Sequence, residues 1–274
     1  MAKVISVLNM KGGVGKTTLS VNIAYILANY HEQKVLLIDI DPQFNATQYL
    51  VHQDVIVKHF ENKKTVLDII MPQKEENINL VTSAKKKKNS TPKLEDFIIN
   101  ISSTNGTTFD IIPSTLNLIE IENSERGAEK NLKYFIKKYC KHYDIIIIDC
   151  PPTLGIHTLS AFLAAEYYVI PVKPDFLSSL GLSLLERALE KYKKRHHHKL
   201  KPLGMVFTIV DLRPSLTFKI MDEIRNSRRS CITAFSSLST QVASSVSNMD
   251  SFYSSNGRYQ KEFKDIAQEI FNKL

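Results

Sequence analysis

Apolar and polar positions along the chain follow two periods in turn, and the alternation predicts strands followed by helices. Ile5, Val7 and Leu8 form a short β-rich run, after which Leu19, Ile23, Ile26, Leu27 and Tyr30 recur at helical spacing. Residues 35–38 and 145–148 are continuous aliphatic runs, the pattern of strands buried on both faces of a parallel sheet. Further strands are predicted at 109–113, 167–172, 203–210 and 231–235, with a brief one at 79–81. Helices are predicted over about 126–142, at 180–194 and from about 215. A last helix places Phe263, Ile266, Ala267, Ile270 and Phe271 on one face. Strands alternating with helices in this way give an α/β fold: a doubly wound, mostly parallel twisted sheet with helices on both faces.

The turn between the first strand and the first helix reads Lys11-Gly12-Gly13-Val14-Gly15-Lys16-Thr17-Thr18. Three glycines let the backbone curl with its N–H groups inward, so a nest of donors and the positive end of the helix face a polyphosphate. In the pattern G-x-x-x-x-G-K-[ST], Lys16 serves the β- and γ-phosphates and the Thr17 hydroxyl a magnesium ion. The match is imperfect, because the first glycine of that pattern falls on Met10 and a second lysine, Lys11, stands just inside.

Asp39 and Asp41 follow the run at 35–38, at the carboxyl end of a strand, where open α/β sheets bind ligands. Two readings stand: the carboxylates hold metal-bound and attacking water, or they cap the next helix. Asp149 follows the run at 145–148 and reads as the carboxylate that acts on magnesium through water. Pro151 and Pro152 stiffen the exit and Gly155 frees it, the make-up of a switch segment.

Composition narrows the class. Hydrophobic residues make up 43% and charged residues 23%, a globular balance. The excess of 36 Lys and Arg over 28 Asp and Glu gives a formal +8, which favours polyanionic partners without choosing between nucleic acid and anionic membrane. Lys191, Lys193, Lys194, Arg195, Lys199 and Lys201 form the densest basic run, read either as a backbone contact to DNA or as a solvated helix end. Lys85 to Lys88, before a polar turn, read as an exposed loop. His196, His197 and His198 have no evident further ligand, so no transition metal is assigned. The odd count of three cysteines, Cys140, Cys150 and Cys231, without a C-x-x-C pair, points to a reducing compartment. With a strand almost at residue 1 and no long apolar run, a soluble cytoplasmic protein is expected.

The run KGGVGKTT resembles the deviant Walker A motif of the ParA/MinD superfamily of ATPases. Residues 39–47, D-I-D-P-Q-F-N-A-T, are similar to the D-x-D-P-Q-G-N-A-T of its ParA/Soj branch, and residues 149–155, D-C-P-P-T-L-G, to the D-C-P-P-S-L-G of its Walker B segment. The resemblance spans nearly the whole chain and is most specific in these three blocks; residues 65–70 also resemble the short helix that the family places after its second strand. It implies a P-loop NTPase fold, a single ATPase domain over 1–274 with an insertion or loop within 72–108, and ATP or ADP with Mg2+ as cofactors. The loop from Lys11 through Thr18 would grip the nucleotide, Asp41 would position the attacking water, and Thr17, Asp39 and Asp149 would serve the metal. Lys11 would cross to the nucleotide of a second copy in an ATP-dependent homodimer. Thr208-Ile209-Val210-Asp211-Leu212-Arg213 is similar to a T-M-Y-D-x-R block near the adenine, which makes Thr208 and Asp211 candidate base contacts. Lys193, Lys194, Arg195 and Lys199, with Arg225, Arg228 and Arg229 by analogy with the family's DNA-facing surface, are candidates for non-specific DNA binding. Partition of a plasmid or chromosome on the nucleoid, with a ParB-like protein stimulating slow hydrolysis, is the implied function. The alternative is a MinD-like membrane-associated positioning ATPase, but the polar face of the last helix mixes Lys261, Lys264 and Lys273 with Glu262, Asp265 and Glu269, and membrane contact is not expected.

Overall fold

The computed structural model describes residues 2–72, 93–104, 106–176, 178–227, 229–239 and 257–274. The strand predicted at 79–81, the lysine run at 85–88, Arg228 and most of the serine-rich stretch after Ser236 lie outside the described residues.

The strands are β1 (Lys3–Val7), β2 (Lys34–Asp39), β3 (Ile99–Thr104), β4 (Thr107–Ile112), β5 (Ile145–Asp149), β6 (Tyr167–Val172), β7 (Lys201–Val210) and β8 (Cys231–Ser237). They form one sheet in the order β3-β4-β2-β5-β1-β6-β7-β8. Every neighbouring pair is parallel except β3 with β4. The aliphatic runs occupy its centre because each residue must bury whichever face it points to. Leu36, Ile38, Ile146 and Ile148 enter the core on one side, and Val35, Leu37, Ile145 and Ile147 enter the core on the other. Each such side chain, fully buried, contributes about 1.5–3 kcal/mol relative to exposure.

Helix α1 (Lys16–Asn29) is buried almost all round. It packs beneath the C-terminal helix (Arg258–Phe271), which is α9 of the described helices and also lies against β8. Gln260, Phe263, Ile266, Ala267 and Ile270 are the buried face of α9. Glu269 accepts the Thr233 and Ala234 N–H groups at 2.7 and 2.8 Å, which fixes the helix on the edge of β8. The sheet thus takes Glu269 of α9 as well as its apolar stripe.

Several features differ from the sequence expectation, among them a helix at Ile156–Ala164 that it did not foresee. After β2 the chain makes two short helices, α2 (Asn45–Leu50) and α3 (Gln53–Glu61), before the expected α4 (Val66–Ile70). The stretch around residue 100 adds the antiparallel edge strand β3, whose sequence INISST lacks the aliphatic density of the central strands because an edge need not be buried on both faces. The helix expected over 126–142 is α5 (Asn131–Tyr139), preceded by a 3-10 turn over Ala128–Lys130. Gly127, at φ 106°, breaks the helical path there. Helices α6 (Ile156–Ala164), α7 (Ser178–His196) and α8 (Ser215–Asn226) complete the described set.

Candidate functional site

β1, β2 and β5 all end at the same edge of the sheet, and that edge carries the three sequence blocks singled out by their chemistry. After β1 the loop turns through Gly13 (φ +68°) and Gly15 (φ +77°), left-handed positions that favour glycine. Gly15 is also the residue before α1, and no side chain caps that helix. The free N–H groups of its first turn therefore face the cleft. Thr208 of β7 buttresses the loop from behind, its hydroxyl donating to the Val14 carbonyl at 2.7 Å.

Lys16 is buried, and its ammonium folds back over the loop to the Lys11 carbonyl at 3.1 Å. Burial lowers its pKa, while Asp149 and Asp41 nearby oppose the shift. Lys11 differs. Its side chain is 36% exposed, and its ammonium forms an ion pair with Asp175, in the loop between β6 and α7.

Asp149 ends β5 and is fully buried. The Thr17 hydroxyl donates to one of its carboxylate oxygens and the Ser20 hydroxyl to the other, both at 2.8 Å. In the sheet register it lies beside Asp39. Asp39 is also fully buried, and its oxygens accept the Asp41 N–H at 3.1 Å, the Thr47 N–H at 2.9 Å and the Thr47 hydroxyl at 2.8 Å. Asp39 thus closes the loop onto the first turn of α2. Desolvation, then each acid's carboxylate neighbours, push both groups above the ordinary carboxylate range. Asp41 turns toward the cleft. One of its oxygens accepts the Gln43 N–H at 2.9 Å, and its backbone carbonyl accepts the Ser114 hydroxyl.

The loop, Asp41, Gln43, Gln48, Pro152 and Ile209 line a cleft of about 470 Å3. Of the two candidate base contacts, Thr208 is turned to the loop, and Asp211 is held by Arg213 at 2.7 Å, outside the cleft lining. Ile209 fronts the cleft instead, at φ 55°. Sequence reading missed Ser20, one helical turn beyond Thr17, where the spacing could have signalled it. It also missed Asp175, 164 residues from Lys11, for which no local signal exists.

The basic candidates divide. Lys194, Arg195 and Lys199 are exposed, while Lys193 pairs with Glu190 at 2.8 Å. Arg229 is committed to Glu186 through two hydrogen bonds, at 2.8 and 2.9 Å, and Arg225 reaches the Thr233 carbonyl and Asp222.

The cradle suits a nucleotide with magnesium: it offers inward backbone donors, a lysine, a hydroxyl and a buried carboxylate pair whose excess negative charge a divalent cation would offset. Among the described residues no cluster of three or more His, Cys, Asp or Glu could hold a metal alone, which is the usual case where phosphates and water complete the shell of Mg2+. A glycine loop opening a buried helix at the carboxyl edge of a parallel sheet, with an acid from a neighbouring strand opposite its threonine, defines a P-loop nucleotide-binding protein. Residues 2–202 match the family model described as an AAA domain. The chain is 34% identical over 228 residues to the sporulation initiation inhibitor protein Soj of Bacillus subtilis, covering 82% of this chain and 79% of Soj. It is 30% identical over 230 residues to the chromosome partitioning protein ParA of Myxococcus xanthus, covering 82% and 71%. A putative plasmid partition protein from Borrelia burgdorferi, solved bound to AMPPNP, shares the fold with a TM-score of 0.79 at 23% identity, over the full length of both chains. The chain belongs to the ParA/Soj family of partition ATPases.

Proposed function

We propose that the chain binds ATP with magnesium, closes face to face with a second copy around two nucleotides, holds DNA without sequence preference and hydrolyses ATP slowly until a ParB-like partner stimulates it. The observation that carries this reading is the division between the two loop lysines. Lys16 is folded over its own loop, whereas Lys11 is partly exposed and its ammonium pairs with the Asp175 carboxylate. A lysine so placed has the charge and reach to meet a phosphate held by another copy.

Within one site, Lys16 and the N–H groups of the loop would hold the β- and γ-phosphates. The Thr17 hydroxyl would ligate magnesium and Asp149 would fix a metal-bound water. Magnesium, when bound, would neutralise charge on the transferring phosphoryl group. Asp41 has a carboxylate oxygen not used by Gln43, and with it would orient the attacking water. Asp39 would act through the loop it closes. For DNA, the exposed cluster Lys194, Arg195 and Lys199 is the better-placed contact, since Arg229 is engaged with Glu186. Against the membrane-associated alternative, the apolar face of α9 is buried against α1 and β8.

Molar mass by light scattering in ADP and in a non-hydrolysable ATP analogue tests the reading. The unaltered chain should double its mass only in the analogue. Lys11→Ala should still bind nucleotide, measured by calorimetry, but stay monomeric, and Lys16→Ala should lose at least ~10-fold in nucleotide affinity, about 1.4 kcal/mol. An unaltered chain that stays monomeric with the analogue bound would overturn the dimer.

A further inference from the structure

At the edge of the sheet opposite the phosphate loop lies a second recess, of about 400 Å3, between α5 and the end of α6. Its walls are apolar: Val4 of β1, Ile136 of α5, Cys140 just past its end, and Leu163 and Ala164 of α6 are all buried side chains. Its rim is cationic. Lys133, Lys137 and Lys141 border it, each exposed, at intervals of four residues along the face of α5 and just past its end. Lys133 and Lys137 lie on one side of α5, about 6 Å apart along its axis, and Lys141 follows beyond its C-cap. None of the three has an ion-pair partner among the described residues. The other rim groups are Glu166, exposed, and His198, whose ring is hydrogen-bonded to the Ala165 carbonyl at 2.7 Å.

We propose that this recess binds an anionic amphiphile: an aliphatic body seated on Val4, Ile136, Leu163 and Ala164, with a carboxylate or phosphate head at the Lys133–Lys137–Lys141 rim. The size falls within the range of small-ligand sites, roughly 300–1,000 Å3, and the pairing of apolar walls with a few convergent charges is their usual make-up. Charge complementarity selects the head group, since a cationic amphiphile would meet three lysines against one glutamate. A DNA backbone needs the lysines but has no use for the apolar walls beneath them. β1 leads from this recess into the phosphate loop, and α6 begins beyond Asp149 and ends here, so a ligand would touch both elements that frame the nucleotide site.

Calorimetric titration of the full chain with dodecanoate, below its micelle concentration, tests the proposal, with dodecyltrimethylammonium and dodecanol as controls. One dodecanoate per chain should bind, at least ~10-fold tighter than either control. Lys133→Gln/Lys137→Gln/Lys141→Gln, three exposed changes, should weaken it at least ~10-fold, and Ala164→Leu should block it by filling the wall. ATP binding should survive in the lysine variant and report an intact fold. Flotation with phosphatidylglycerol vesicles against phosphatidylcholine vesicles separates the two sources of the head group. Lysine-dependent capture by the anionic vesicles assigns it to a bilayer lipid, and dodecanoate binding without capture assigns it to a free acid. Absence of dodecanoate binding, equal binding of the cationic control, or binding unchanged in both variants overturns the proposal. So does loss of DNA retention in the lysine variant of a chain that ignores dodecanoate, which would make the rim a nucleic-acid contact.

Discussion

Phe44 stands where the ParA-type pattern carries glycine, and the backbone there keeps a left-handed conformation, φ 43° and ψ 38°, at the start of α2. A side chain in that region costs about 1–2 kcal/mol. Phe44 offsets part of it by an edge-on contact with Phe60, ring centroids 5.7 Å apart, worth about 0.5–1.5 kcal/mol. Phe44→Gly removes the strain and the ring together, so its stability should lie within ~1 kcal/mol of the parent. Phe44→Ala keeps the strain without the ring that offsets it, and should be the less stable of the two in urea. Charge at this scale has a testable sign. Asp39 and Asp149 hold their protons more tightly folded than unfolded, so the folded chain binds more protons above the ordinary carboxylate range. Their contribution to stability is present in acid and declines as pH rises from about 4. Without nucleotide or magnesium, urea midpoints should therefore fall toward neutral pH more steeply in the parent than in Asp39→Asn; equal slopes would place the dependence elsewhere.

Among the elements, the loop between β6 and α7 governs the second lysine. Asp175 holds Lys11 and also accepts the Ser178 hydroxyl at 2.9 Å, tying the phosphate loop to the start of α7. Dimer formation on the proposed plan requires this ion pair to open. At a third exposed on each side, the pair is worth no more than about 1 kcal/mol. Two such pairs open per dimer, so Asp175→Ala should accordingly strengthen the ATP-analogue dimer by up to ~30-fold in sedimentation, and a weakened dimer would show that Asp175 supports the joined form instead. The first half of this arrangement is local and legible: three glycines before Lys16-Thr17 specify a loop whatever surrounds it. The second half is not, because Asp175 reaches Lys11 only through the pairing of β1 with β6.

Across the whole molecule, the nucleotide cleft and an exposed basic cluster lie at opposite edges of the sheet. The nucleotide cleft occupies the carboxyl ends of the strands, and α7 runs back to the other edge, where it delivers Lys194, Arg195 and Lys199 just before β7 begins at Lys201. Reversing charge at these three should weaken retention of duplex DNA and lower the salt slope by about one for each phosphate no longer neutralised. Arg229→Ala, which breaks the link to Glu186, should act on stability more than on DNA. Among the described residues, no helix is long and apolar enough to cross a membrane. By itself the amino-acid sequence determined the alternation of strand and helix, the phosphate loop and the strand-end carboxylates, because each is written in contiguous residues with its own period or spacing. The tertiary structure alone decided which acid faces which lysine, that Ile209 rather than Thr208 or Asp211 fronts the cleft, which basic side chains are already engaged and where a second recess opens. Those depend on strand order and on side chains brought together from distant parts of the chain, 164 residues apart for Lys11 and Asp175 and 43 for Arg229 and Glu186, separations over which sequence carries no periodic signal.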